Sequence, residues 1–329
     1  MSNKILITGA GGAVGSVSDL IIKHLVARGQ DVRAFMRPTN QKDKEIEALG
    51  VEVFKGDLLN LHDVAKALEG VDIVYFSMSL NPYYSDAYII MMEACRRQGK
   101  IKALINLSEY EQIFMGYDQM VQAPQARTAL LGGEVSDWSP QQRAHWVSER
   151  ALEWSGLPYV NIHANAFIEN PILSWFNLGT IASEQVFEVP FEADEKIASI
   201  SAPDLAEAVA NIITNVEAHI GKSYALTGDE LLSMAELAQI YSDIFGFKVT
   251  HRYLDKDAWA EKYMGILRDN NQLHTEAHLK GLMRLMTKPV YQHTTDTLEK
   301  LLGHKPKGVR SALENLPRIV EIKKLPANQ

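Results

Sequence analysis

Short apolar runs alternate with amphipathic stretches through the first half of the chain. The runs that predict strands are KILIT, DVRAFMR, VEVFKGD, VDIVYFS and IKALINLS. Between them, apolar residues recur at helical spacing, and several of these stretches end at a glycine, such as Gly29, Gly50 and Gly70. Strands that are apolar throughout are typical of parallel sheets covered on both faces. The pattern therefore predicts an α/β fold with a doubly wound parallel sheet.

The regular alternation stops after the fifth predicted strand. Residues 109–137 show no clean period, which predicts a long connection of the kind that often carries function. A helix then begins with Ser139 as N-cap and Pro140 at its first position, and LPYVNIHA predicts a sixth strand. We expect residues 1–164 to form one domain and residues 165–329 a smaller, mostly helical region. Within the latter, residues 197–228 should pack back on the sheet.

A glycine-rich turn follows the first strand and opens the first helix. Its sequence is TGAGGAVG, with glycines at positions 9, 12 and 15. Gly9 suits a tight turn, Gly12 a close approach to a pyrophosphate, and Gly15 close packing of helix and strand. The N–H groups of Ala13 and Val14 at the helix start would face the phosphates. In this β-α-β context the turn predicts a Rossmann dinucleotide site rather than a purely structural turn.

The end of the second strand distinguishes the two nicotinamide dinucleotides. Arg37 follows this strand, and the next carboxylate is Asp43. A guanidinium suits a 2′-phosphate, whereas a carboxylate would bind the 2′-hydroxyl. We therefore expect NADP(H) rather than NAD(H) as cofactor, with Arg33 as a second candidate. The alternative is that Arg37 is a solvated residue at a strand end.

Composition excludes several classes of function. The chain has 329 residues, of which 46% are hydrophobic, and its formal net charge is −8. This charge and the absence of a basic stripe disfavour a nucleic-acid partner, and no segment approaches the ~18 apolar residues of a membrane span. The single cysteine, Cys95, lies in a helical pattern and predicts a buried, inert thiol. With no export signal evident, we expect a cytoplasmic protein with a small-molecule substrate; the sequence does not indicate its oligomeric state.

Together these stretches resemble the NmrA-like family, which comprises atypical short-chain dehydrogenases/reductases. The resemblance spans roughly residues 3–300 and is carried by ILITGAGGAVGS, VRAFMRP, VFKGDLLNLHDVAKALEGVDIVYF, ALINLS and HWVSERALEWSGLPYVNIHANAFIEN. It implies that Asp57 and Leu58 lie at the adenine. Ser77 and Met78, after the fourth strand, are expected at the cofactor. Ser108, after the fifth strand, and Phe167, after the sixth, are expected at the substrate.

The family resemblance gives significance to His145. Related reductases carry Tyr-x-x-x-Lys on this helix, whereas this chain has Gln141-x-x-x-His145. In NmrA-like proteins the Tyr is commonly absent and the Lys position can be His, which implies that His145 contacts the cofactor or donates a proton. Alternatively, His145 only packs in the helix or pairs with Glu149. Tyr110 is a second candidate for the missing acid.

The helical period makes two further predictions about histidines and packing. Ala144, Val147, Ala151 and Trp154 form one stripe of the 140–155 helix, which we expect to face the sheet. His274 and His278 are spaced by one helical turn, but no recognised metal-ligand pattern accompanies them. We therefore predict no metal site and a solvated helix face for both histidines.

Two main functions are compatible with the sequence. The first is an NADPH-dependent reductase of a small apolar, conjugated acceptor of the quinone, azo or enone type, since such acceptors need no strongly activated proton donor. The second is a non-catalytic regulator that senses NADP(H) and binds a protein partner. A non-redox isomerase or tailoring enzyme on the same fold is a third, weaker alternative.

Overall fold

The strands follow the predicted apolar runs closely. The structure, a computed structural model, describes residues 3–12, 17–123, 125–126, 139–286 and 288–324. Its strands are β1 (Lys4–Ile7), β2 (Asp31–Met36), β3 (Glu52–Lys55), β4 (Ile73–Phe76), β5 (Ala103–Glu109), β6 (Tyr159–Ala164), β7 (Val186–Val189), β8 (Lys196–Ile197), β9 (Ser223–Leu226), β10 (Leu232–Ser233) and β11 (Thr250–Tyr253).

Helices alternate with the strands of the first half and dominate the second. They are α1 (Val17–Ala27), α2 (Asp43–Glu47), α3 (Leu61–Ala67), α4 (Tyr84–Gln98), α5 (Tyr117–Met120), α6 (Pro140–Ser155), α7 (Leu178–Glu184), α8 (Ala202–Thr214), α9 (Met234–Phe245), α10 (Lys256–Asp269), α11 (Leu273–Leu285), α12 (Thr297–Leu302), α13 (Gly308–Glu314) and α14 (Pro317–Lys324).

Seven parallel strands form the main sheet in the order β3-β2-β1-β4-β5-β6-β9. Helices α1 and α8 pack on one face of this sheet, and α3, α4 and α6 on the other. This arrangement confirms the predicted α/β fold with a doubly wound sheet. The order reverses between β1 and β4, and ligands of such sheets bind beyond the carboxyl ends of the strands at this switch point.

Residues 197–228 contribute to the main sheet from the second half of the chain. Strand β9 pairs in parallel with β6, placing Tyr224 beside Ile162, and α8 packs against α1. Ser201 caps α8 by accepting a hydrogen bond from the Asp204 N–H. The sheet is therefore completed by residues far along the chain from the glycine turn.

The rest of the second half forms its own hydrophobic core over the carboxyl end of the sheet. Trp259, Phe187 and Tyr241 are fully buried there among α7, α9, α10 and α11. Strand β11 pairs in parallel with β7, and β10 pairs antiparallel with β8. Helix α11 contacts α6, so the two regions meet beside the carboxyl ends of β4 and β5.

The predicted long connection is more ordered at its beginning than the sequence suggests. Strand β5 extends to Glu109, and a 3₁₀ turn (Tyr110–Phe114) and the short helix α5 follow. Residues 124 and 127–138 lie outside the described part of the chain. Cys95 is buried in α4, where burial raises the pKa of its thiol to about 12, which confirms the predicted inert thiol.

Candidate active site

A cavity of about 1240 Å³ lies at the carboxyl end of the sheet. One end is formed by the glycine turn and Arg37, and the other by apolar side chains of the second half of the chain. Most of the residues predicted to form the site contribute to its wall, namely Gly9, Gly12, Arg37, Ser77, Met78, Ser108, His145 and Phe167. The structure thus brings together residues from five separate strand ends and from helix α6.

The glycine turn requires glycine at its first position. Gly9 has a φ of +75°, and a Cβ atom there would lie 2.8 Å from the carbonyl oxygen of Ser77. The Thr8 hydroxyl donates to the same carbonyl at 2.7 Å, and the Ser77 N–H donates back to that hydroxyl at 2.9 Å. The turn is therefore fixed directly to the end of β4. Ala13, Val14 and Gly15 lie outside the described residues.

Arg33 in β2 and Arg37 just after it have different surroundings. The guanidinium of Arg33 donates to the Glu52 carboxylate at 2.8 Å and to the carbonyl oxygens of Ala67 and Glu69. Arg37 is exposed at the cavity, and within the described residues no hydrogen bond or ion pair engages its guanidinium. Of these two arginines, Arg37 is thus the one whose donors are available to a ligand.

The two residues predicted at the adenine stand apart from the cavity wall. Asp57 is exposed just after β3, where its carboxylate accepts the Leu59 N–H at 3.0 Å. Leu58 packs at the edge of the core under α3 and α4. Neither residue lines the cavity as described, and their contact with adenine stays a prediction.

Helix α6 buries a polar face beside part of the predicted apolar stripe. Ala144 and Ala151 pack against the core as predicted, whereas Val147 is 45% exposed and Trp154 is 80% exposed, so the stripe prediction is wrong for these two residues. The buried residues of the helix are Gln141, Gln142, His145, Ser148, Glu149 and Leu152. Most of these polar groups have partners, which come from β5, β6, the 3₁₀ turn after β5 and α11. Among the described residues the Ser148 hydroxyl has no hydrogen-bond partner.

A chain of hydrogen bonds runs through this polar face in one direction. His274 Nε2 donates to Gln141 Oε1 at 2.7 Å, and the Gln141 amide donates to His145 Nε2 at 3.1 Å. His145 then donates through Nδ1 to the Ser108 hydroxyl at 3.4 Å, and Ser108 donates to Glu149 Oε1. This set of partners assigns His145 as the neutral tautomer protonated at Nδ1.

This series of hydrogen bonds and the lining of the cavity correct two predictions about histidines. His145 does not pair directly with Glu149, because Ser108 stands between them and His163 Nε2 lies 3.1 Å from the Glu149 carboxylate. His274 and His278 are not on a solvated face, because both line the cavity and His278 is buried. Their partners come from α6 and β5, which the helical period of α11 alone does not reveal.

Burial leaves the His145 ring without an extra proton to donate at neutral pH. Burial, followed by the nearby His278, lowers the pKa of His145 to about 3. Its single N–H is already donated to Ser108, and its ring lies 4.4 Å from that of Tyr84. The arrangement suits a side chain that holds the cavity wall in place, rather than one that releases a proton at neutral pH.

Tyr110 is not brought to the cavity with the other predicted residues. It is buried in the 3₁₀ turn after β5, its hydroxyl lies 2.7 Å from His293 Nε2, and burial raises its pKa to about 12. Its ring packs against Phe114 and Tyr291. The expectation that Tyr110 replaces the missing acid is therefore not supported by its position.

An acidic pair that sequence reasoning missed lies in the cavity wall. Glu109, the last residue of β5, has a side chain that is 17% exposed, and its Oε1 atom lies 3.5 Å from His278 Nδ1 and 3.7 Å from His145 Nε2. Glu111, two residues on, is buried and also lines the cavity. The signal for Glu109 was its place at the carboxyl end of a parallel strand.

The end of the cavity away from the glycine turn has many apolar side chains. Phe167 and the following turn contribute aromatic side chains, and α10 and α11 contribute aliphatic ones. These residues are Phe167, Trp175, Phe176, Ile266, Leu267, Leu273, Leu279 and Leu282. Such a wall suits an apolar ligand oriented by a few polar groups.

Among the described residues, no three or more His, Cys, Asp or Glu side chains are grouped so as to hold a metal ion. Across the same part of the chain, no helix combines the length and apolar character that a bilayer span requires.

Comparison with known proteins agrees with the geometry of the nucleotide end. The family model of NAD(P)H-binding proteins matches residues 12–216, which is more than half of the chain. The match confirms the cofactor class predicted from the glycine turn and agrees with the resemblance to the NmrA-like family. Among curated relatives, quinone oxidoreductase 2 of Escherichia coli is 25% identical over 303 residues, covering 91% of this chain and 94% of the relative.

Further matches have lower identity or coverage. Festuclavine synthase I of Penicillium roqueforti is 30% identical over 166 residues. This match covers 54% of that relative and 49% of this chain. The NADPH complex of an Escherichia coli NADPH-dependent quinone oxidoreductase superposes with a TM-score of 0.73 at 22% identity, covering 97% of this chain and 99% of that one. A Citrobacter triphenylmethane reductase gives 0.71 at 20% identity, with 98% and 100% covered.

Proposed function

This chain belongs to the family of NAD(P)H-binding proteins, and on that premise we propose that it is an NADPH-dependent reductase of a small apolar, conjugated acceptor. The observation that carries the proposal is the continuity of the cavity. A single space of about 1240 Å³ joins the glycine turn and Arg37 to an apolar wall built from Phe167, Trp175 and Leu279. A cofactor and an acceptor bound at its two ends would therefore lie in contact.

The residues of the nucleotide end fit a dinucleotide with a 2′-phosphate. The turn at Gly9 and Gly12 leaves no side chain between the backbone and the cavity, as close approach of a pyrophosphate requires. The guanidinium of Arg37, which no described residue engages, would supply a paired donor for the phosphate. Ser77 and Met78, at the end of β4, would flank the nicotinamide half. When bound, this cofactor supplies a hydride.

The acceptor end supports the choice of substrate class. Its apolar and aromatic side chains favour a flat, conjugated molecule, and the hydrogen-bonded groups of α6 border one side of it. Escherichia coli quinone oxidoreductase 2 and Citrobacter triphenylmethane reductase are named for a quinone and for triphenylmethane dyes, both of them conjugated, which supports a conjugated substrate. Phe167 and Ser108 would contact the acceptor.

We assign His145 a positioning role at the junction of the two ends. Because its N–H is donated to Ser108 and its other nitrogen accepts from Gln141, its ring is held against Tyr84. Held in this way, His145 would keep the hydroxyl of Ser108 and the wall of α6 in register for the bound cofactor. This role needs no change in its protonation.

The experiment is a turnover assay with purified protein and NADPH. Quinones, azo dyes, enones and a cationic triphenylmethane dye are each added, and loss of absorbance at the nicotinamide band is followed. We expect consumption of NADPH that depends on the acceptor. Tight binding of NADPH with no turnover on any acceptor would contradict the proposal and favour a cofactor-sensing regulator instead.

A further inference from the structure

We propose that Glu109 is the proton donor of the acceptor cavity, an assignment that rests on the proposed reductase function. Glu109 ends β5 at the cavity wall, and its carboxyl group is close to Glu111, His145 and His278. The position is one residue beyond Ser108, at the carboxyl end of a central strand. A group placed there is directed at the region between cofactor and acceptor.

The hydrogen bonds of Glu111 show which member of the pair carries the negative charge. Its carboxylate accepts from the Tyr291 hydroxyl and from the Gln142 amide at 2.7 Å, and it is hydrogen-bonded to Glu109. Although burial opposes ionisation, these donors together lower the pKa of Glu111. Glu111 is therefore the fixed anion, and a second charge on Glu109 would be repelled.

Glu109 has the opposite environment. Its Oε2 atom is buried, and no N–H group and no Ser, Thr or Tyr hydroxyl of the described residues donates a hydrogen bond to it. Burial and the charge of Glu111 raise the pKa of Glu109 well above its usual range. The neighbouring histidines do not reverse this, since burial keeps the pKa of His145 near 3 and that of His278 near 4. These surroundings favour the protonated form of Glu109, as a proton donor requires.

The titratable groups around Glu109 come from every element that packs on it. Glu111 belongs to the 3₁₀ turn and Tyr291 to a second 3₁₀ turn (Pro289–Tyr291), while the remaining groups lie on α4, α6 and α11. They are Tyr84, His145, Glu149 and His278. Both histidines are neutral and both tyrosines have a raised pKa from burial, so the carboxylates set the charge around Glu109.

A conjugated carbonyl compound is the acceptor that matches a proton donor at Glu109, because its oxygen becomes negatively charged when hydride is added. In the step, the acceptor carbon forms a C–H bond with the hydride from the dinucleotide, and the π electrons shift to the carbonyl oxygen. That oxygen takes the proton of Glu109, whose O–H bond breaks and leaves its electron pair on the carboxylate. The acceptor is reduced by two electrons and the dinucleotide is oxidised. A proton from water then restores the Glu109 acid.

The test compares two acceptors that differ in their need for a proton. An enone needs both hydride and proton, whereas a cationic triphenylmethane dye becomes neutral by taking hydride alone. We expect Glu109→Gln to lower kcat for the enone about 10²- to 10⁴-fold more than kcat for the dye, since general acid catalysis is worth that much. Glu169→Gln removes a buried carboxyl group that does not line the cavity, and it should leave the ratio of the two rates unchanged.

A second measurement does not depend on turnover. The infrared spectrum of the protein at pH 8, without added cofactor, should contain a protonated carboxyl band that is missing from Glu109→Gln. The enone rate of the wild type should fall as pH rises through the raised pKa of Glu109. Glu111→Gln removes the charge that repels ionisation of Glu109, so it should move this fall to lower pH.

The outcomes separate the two proposals. If the wild type reduces both acceptors and Glu109→Gln lowers both rates equally, or if the infrared band is absent, the assignment of Glu109 is overturned and the reductase function stands. If the wild type reduces neither acceptor while binding NADPH, the reductase function is overturned, and the proton donor with it.

Discussion

Gln141 and His145 are hydrogen-bonded to each other across one turn of α6, with the amide nitrogen 3.1 Å from the imidazole Nε2 atom. The family resemblance implies a tyrosine proton donor at this position, whereas the glutamine links His145 to His274. The amide donates no proton in catalysis, and it holds the two histidines in defined tautomers.

Gln141→Leu should break this link. The change removes a donor from His145 and an acceptor from His274, leaving buried polar atoms without partners, and each such atom costs about 1–3 kcal/mol. We expect the free energy of unfolding in urea to fall by about 2 kcal/mol. Nitrogen NMR of the wild type should show His145 neutral and protonated at Nδ1 from pH 5 to 8. A His145 that titrates near pH 6.5 would contradict this description.

Arg37→Ala should weaken binding of NADPH and leave binding of NADH nearly unchanged. A hydrogen bond to a charged group contributes about 1.5–3 kcal/mol, which corresponds to roughly 10- to 100-fold in affinity. Arg33→Ala is the matched control, because its guanidinium is held by Glu52 and by backbone carbonyls. It should reduce stability without changing the preference between cofactors. Equal loss for both cofactors in Arg37→Ala, measured by fluorescence titration, would refute the phosphate contact.

Gly9→Ala and Gly29→Ala form a pair that separates backbone strain from steric contact. Both glycines have positive φ, +75° and +69°, so alanine is strained at each by roughly 1–2 kcal/mol. Only at Gly9 would the new Cβ meet a carbonyl oxygen, that of Ser77, at 2.8 Å, whereas none of the atoms described lies within 4 Å at Gly29. We expect Gly9→Ala to cost about 1–3 kcal/mol more in urea unfolding and to abolish NADPH binding. An equal loss of unfolding free energy in the two variants would show that the backbone around Gly9 moves to accommodate the Cβ atom without cost.

His278→Gln should make stability less sensitive to acid. Burial lowers the pKa of His278 to about 4, below the ordinary value of 6.5, so the unfolded chain binds this proton first as pH falls. Stability conferred by the neutral ring is thus complete above pH 6.5 and declines toward pH 4. Between pH 7 and pH 5 the wild type should lose about 2 kcal/mol through this residue, a loss that the variant escapes. Parallel pH profiles for the two proteins would rule the effect out.

The fold was predictable because its signals are local. The apolar runs of β1 to β6, the turn at Gly9 and the cap at Ser139 each depend on residues within a few positions of one another. The buried face of α6 was not predictable in this way. Its partners come from distant parts of the chain, since Gln141 is 133 residues from His274 and His145 is 37 residues from Ser108.

The packing of α6 illustrates the same limit. Periodicity placed Val147 and Trp154 against the sheet because apolar residues usually cover apolar surface. In the structure part of the surface that α6 covers is polar, being built from Ser108, Glu111 and His163. A helix that faces charged neighbours buries its amides and carboxylates and leaves an indole in solvent, and only the tertiary arrangement reveals which surface it meets.

The position of β9 has a consequence for the order in which this protein is made. Until residues 223–226 leave the ribosome, β6 is an open edge whose backbone groups from Asn161 to Ala164 lack their pairing strand. The side of α1 that α8 later covers is also bare during that interval. More than sixty residues after β6 must therefore be synthesised before the last strand, β9, can join the sheet. Synthesis, rather than the finished protein, is when this chain is most open to pairing with the wrong partner.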